Sequence, residues 1–181
     1  MNIAKQLKEK NIAEYLIYMW QVEDLIRALG CDIDVIREKL ISTFPEAEQP
    51  ALDEWYGNLV EMMRAEGVKE KGHLQINRNV IQNLTELHGE LLASTKYPFY
   101  NAAYFKALPF IVELRQKNGN QEESELETCF EALYGVLLLR LQHKEITPET
   151  DTAMKAISNF ISLLANYYEK EKKGELELNE E

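Results

Sequence analysis

Apolar residues recur along this chain every three or four positions and almost nowhere every two. That spacing marks one face of an α-helix. Between Asn11 and Gly30 the recurring positions are Ile12, Leu16, Met19, Val22, Ile26 and Leu29. Asn11 with Glu14 forms a capping-box-like start, and Gly30 forms a stop. A short second helix follows Asp32 or Asp34 and ends near Pro45. Pro50 opens a third, with Leu52, Trp55, Tyr56, Leu59 and Met63 on one face, stopped at Gly67. The charged link VKEKGH, 68–73, reads as a loop.

A fourth helix runs from Leu74 to Ser94, with Val80, Leu84, Leu87 and Leu91 inward. The chain breaks at Pro98. A fifth helix covers Asn101 to Lys117, where Pro109 either kinks it or marks its first turn. Ser124 with Glu127 is a full capping box for the sixth. Thr147, Pro148 and Glu149 start the seventh in the favoured cap-then-proline order. Its inward face is Met154, Ile157, Phe160, Ile161, Leu164 and Tyr168. Strand-like alternation occurs only at Glu175 to Glu177. The expected fold is an all-α, single-domain bundle of six to seven helices with short connections. It occupies residues 1–168, and residues 169–181 form a charged, disordered acidic tail.

Composition narrows the partners. The 181 residues carry a net charge of −11. The tail from Glu169 has six acids against three lysines, so most of the excess belongs to the body. An acidic body argues against nucleic-acid and anionic-membrane surfaces, which need clustered Lys and Arg. The start MNIAKQLKEKNIAEY lacks the apolar run of a signal peptide, and no stretch is long enough to span a membrane, so the expected location is the cytoplasm. Cys31 and Cys129 are too few for a disulfide framework and lie in no C-x-x-C motif.

Four polar residues fall on apolar arcs. The segment Leu126 to Leu141, LETCFEALYGVLLLRL, is the most apolar in the chain. Arg140 projects between Cys129 and Leu133, near the middle of its arc. A cation there calls for a partner. Glu23 projects between Ile12 and Leu16, and Arg27 lies one turn on, beside Trp20. Glu23 therefore pairs either with Arg27 along the helix or with Arg140 across a helix interface. Arg140 also sits in its helix's last turn, within reach of the final carbonyls and solvent. His88 falls between Leu84 and Ile81, as a hydrogen-bonded core histidine does. Metal binding needs more company. The one Glu-x-x-His, Glu70 to His73, runs through a loop, and no metal or other cofactor is expected.

Two surface features remain. The aromatics Tyr97, Phe99, Tyr100 and Tyr104, with Phe105, surround the Pro98 loop, either packing it down or rimming a pocket or groove. On the outer face of the seventh helix, Ser158, Ser162 and Asn166 form an uncharged row, a candidate self-association face. The chain has no Gly-rich phosphate loop, nucleophile elbow, HExxH or kinase motif.

The segment NIAEYLIYMWQVEDLIRA, Asn11 to Ala28, resembles an uncharacterised family of all-helical bacterial proteins, a domain of unknown function familiar from gut anaerobes of the Bacteroides type. The likeness extends over most of the chain up to the acidic tail. It implies an all-helical cytoplasmic protein and supplies no activity, cofactor or catalytic residue. The function expected from the residues is a non-enzymatic helical interaction or adaptor protein, partnered by another protein or by itself as a homodimer. The alternative is a small-molecule-binding or enzymatic bundle with a polar site at Glu23, Arg27, His88 and Arg140.

Overall fold

The computed structural model describes residues 2–178. Among them are eight α-helices, one 3-10 turn at Ile41–Thr43 and no strand. The helices are α1 (Ile3–Lys10), α2 (Ile12–Ala28), α3 (Ile33–Lys39), α4 (Gln49–Ala65), α5 (Gln75–Ala93), α6 (Pro98–Asn118), α7 (Glu125–Leu141) and α8 (Pro148–Lys172).

The all-helical expectation holds, and α1 exceeds the expected number. This helix has only eight residues and buries only Ala4, shorter than the stretch over which an apolar period is read. Local capping makes it: Asn2 Oδ1 accepts from Ala4 N at 2.8 Å. Asn11 closes α1 and opens α2, its Oδ1 accepting from Ala13 N at 3.1 Å and Glu14 N at 3.2 Å. Pro98 begins α6, where a break was expected, because proline at the first helical position removes an amide that has no partner there anyway. Pro109 lies inside α6, and the helix runs on through it.

The tail boundary also moves. α8 continues to Lys172, past the expected end at 168. Beyond it, Tyr97 Oη donates to the Glu177 carbonyl at 2.6 Å, and Lys96 meets the Glu177 carboxylate at 3.4 Å. The last three residues of the predicted tail, 179–181, lie outside the described residues.

By its internal contacts the chain groups into two compact units. One takes the chain up to Ile17 and again from Val80 onward; the other is Tyr18–Asn79. In the first, α6, α7 and α8 pack against one another, and Tyr100, Phe130 and Phe160 are fully buried. In the second, α3 packs on α4. There Trp20, Met19, Ile36 and Met63 are fully buried. Gly30 takes a positive φ of 74° to end α2, and Arg64 then holds the Cys31 carbonyl through Nε at 2.9 Å and Nη2 at 2.6 Å.

Candidate functional site

Glu23 is wholly buried in the Tyr18–Asn79 unit. Its carboxylate accepts from Asn77 Nδ2 at 2.7 Å, faces His73 Nδ1 at 2.9 Å and lies 3.4 Å from Leu74 N. Leu74 and Asn77 stand at the start of α5, where backbone amides lack intrahelical partners and the helix dipole is positive. The acid therefore caps a helix about fifty residues away in sequence. Arg27 approaches the same carboxylate at 4.0 Å, so the intrahelical pairing is present but long. The stronger bonds of Arg27 go to Asp24 at 3.0 Å, to the Val68 carbonyl at 3.2 Å and to the Gly72 carbonyl. The His73 ring stacks on Trp20, with centroids 4.2 Å apart and planes 12° from parallel. Together these contacts pin the 68–74 loop. Sequence reasoning missed His73 and Asn77 as partners; the Glu70-to-His73 spacing drew attention to the histidine for a different reason.

His88 belongs to the other unit. Its Nδ1 lies 2.5 Å from Tyr100 Oη, and the ring meets Tyr104 and Phe160 edge-on at 4.7 and 5.4 Å. Burial holds its pKa below the ordinary histidine value, more than the Glu125 charge raises it. Of the four aromatics, Tyr100 and Tyr104 lie in the core with His88, and Tyr104 donates to Glu125 at 2.7 Å. Tyr97 is tied to the tail. Phe99 is 83% exposed. The four do not line one pocket.

Arg140 is exposed, in keeping with the solvent-reaching alternative and not with burial against Glu23. Among the described residues it makes no ion pair. The direction read from the sequence is nevertheless right. Leu133, Leu137 and Arg140 do share a face of α7. That face is buried at Leu126, Cys129 and Phe130 and again at Val136, and is only partly covered at Leu133 and Leu137. Its C-terminal half floors a groove of about 410 Å³ between α7 and α8. Across from Arg140 the groove is lined by Asp151, Lys155, Ser158, Asn159 and Ser162. The structure thus brings Arg140 together with two members of the predicted row, Ser158 and Ser162. All three row residues, Asn166 included, are exposed.

No group of three or more His, Cys, Asp or Glu side chains among the described residues is placed to hold a metal ion. No described helix is long and apolar enough to cross a membrane. The two cysteines are free and buried, and burial raises the Cys129 thiol far above its usual range.

These features define an all-α protein with a surface groove between two of its helices. The chain belongs to the family described as Domain of unknown function (DUF4924), whose model matches residues 1–175. No curated protein and no solved structure matches it.

Proposed function

We propose that this chain is a non-enzymatic helical interaction protein that associates with itself through the α7–α8 face. The observation that carries the reading is the C-terminal half of α7. Leu133, Leu137, Leu138 and Leu139 are only half-buried and Leu141 is 59% exposed, on the most apolar helix of the chain. A helix this apolar on every side is ordinarily enclosed. Leu133, Val136 and Leu137 line the groove beside uncharged Ser158 and Ser162, and apolar ground of this kind is what a partner covers. The row adds no charge to desolvate, so covering it costs little.

The free, buried cysteines suit a reducing compartment, which supports a cytoplasmic location. The resemblance over Asn11–Ala28 supports a bacterial source. Light scattering at micromolar concentration tests the reading: the expected species is a dimer that Ser162→Glu weakens by setting two like charges together. A monomer at every concentration and salt overturns it.

A further inference from the structure

Resting on that reading, we infer that the partner is a second copy held antiparallel along α8, on a two-fold axis through Ser162. The argument is the order of charges along one line of the helix. At about 100° per residue, Asp151, Lys155, Ser158, Ser162, Asn166 and Glu169 fall within one narrow stripe, and Lys173 caps it. From one end the stripe reads negative, positive, small, small, small, negative, positive. A two-fold axis through Ser162 sets Lys155 against Glu169 of the second copy and Asp151 against its Lys173. It sets Ser158 against the other Asn166, and Ser162 against itself. Every charge meets its opposite. A parallel pair in register sets each of these charges against its own kind, so charge order alone selects the antiparallel arrangement.

Of the facing pair, Lys155 is open to exchange, whereas the Glu169 side chain is only 18% exposed and turns outward to meet the second copy. Lys155 is 78% exposed and bonds only its own Asp151, at 2.9 Å. Glu169 holds Lys172 at 3.5 Å and Lys173 at 3.9 Å, both long. Antiparallel docking joins these two local pairs into one network on each side of the axis. The small central residues let the helix axes approach to the short end of the usual 8–10 Å range. The arrangement also lays the far half of the partner's α8 over the α7–α8 groove. Its Glu169 then stands near Arg140, on the groove wall beside Asp151 and Lys155.

Charge reversal tests the register. Lys155→Glu and Glu169→Lys alone each raise the dimer dissociation constant tenfold or more, and an equimolar mixture of the two recovers dimer. General repulsion predicts otherwise: Glu169→Lys moves the net charge toward zero and by that effect tightens any association. Oxidation of a Ser162→Cys variant gives a covalent dimer. An Asp151→Cys variant does not, because its two sulfurs lie about 33 Å apart across the axis. Monomer melting temperatures of all four variants separate misfolding from loss of contact. A dimer that ignores either reversal, a mixture that fails to recover, or self-crosslinking of Asp151→Cys overturns the register and leaves self-association standing. A protein monomeric throughout removes both.

Discussion

At the scale of the residue, two buried carboxylates behave differently because of what surrounds them. Glu23 is met by an amide side chain, an imidazole and the start of α5. Glu123 is buried just before α7 with Glu131 and Glu127 nearby; burial first, and then those like charges, push its carboxyl up to about 7, against the opposing Thr128 hydroxyl. A carboxyl raised in the folded state stabilises the fold below its unfolded value near 4.5, and this contribution is lost as pH rises through about 7. Glu123→Gln, which stays neutral, should therefore match the parent's melting temperature near pH 4.5 and exceed it increasingly up to pH 8. Parallel melting curves against pH for the two proteins check this. For Glu23 the expected change runs the other way. Glu23→Ala strands the His73 and Asn77 donors and should cost roughly 3 kcal/mol in urea unfolding. A loss below about 1 kcal/mol shows that the 68–74 loop does not depend on it.

At the scale of the element, most helix ends follow from local chemistry. Ser124 Oγ accepts from Glu127 N at 3.2 Å, and Thr147 Oγ1 accepts from Thr150 N at 3.2 Å, at the two starts that the capping signals predict. α6 is the exception. Pro109 lies on its exposed side and cannot donate to the carbonyl one turn back. Proline inside a helix costs about 3 kcal/mol against alanine, offset in part by the stiffer unfolded chain. Pro109→Ala removes no packed surface, so it should stabilise by about 1 kcal/mol, read as a rise in melting temperature. An unchanged or lower melting temperature means that the folded chain accommodates this proline without net cost.

At the scale of the molecule, the net charge of −11 opposes any meeting of two copies. That repulsion acts over distances that salt screens, with a Debye length of about 30 Å at 0.01 M and 10 Å at 0.1 M. The short pairs proposed along α8 are screened less. Dimerisation should therefore tighten as salt rises from 0.01 to about 0.15 M, in sedimentation or light scattering. Monotonic weakening over that range assigns the association to ion pairs alone and removes the apolar groove as its basis.

The sequence by itself determined the helical class, seven of the eight helices and most of their ends. Each of those depends on residues within a turn or two: a 3.6-residue apolar period, a capping side chain, a glycine or a proline. α1 escaped because its eight residues are too short a stretch for a period to register. The sequence also showed that Glu23 and His88 face inward and that Arg140 shares a face with Leu133, since direction around a helix is arithmetic. Only the tertiary structure decided what those faces meet. Glu23 found His73 and Asn77, fifty and more residues on, because the packing of the 68–74 loop brought the start of α5 to it. Arg140 came to the surface because the cover over its face of α7 gives out beyond Val136. An apolar arc states which way a helix turns, and the reach of its neighbours decides how much of that arc is buried.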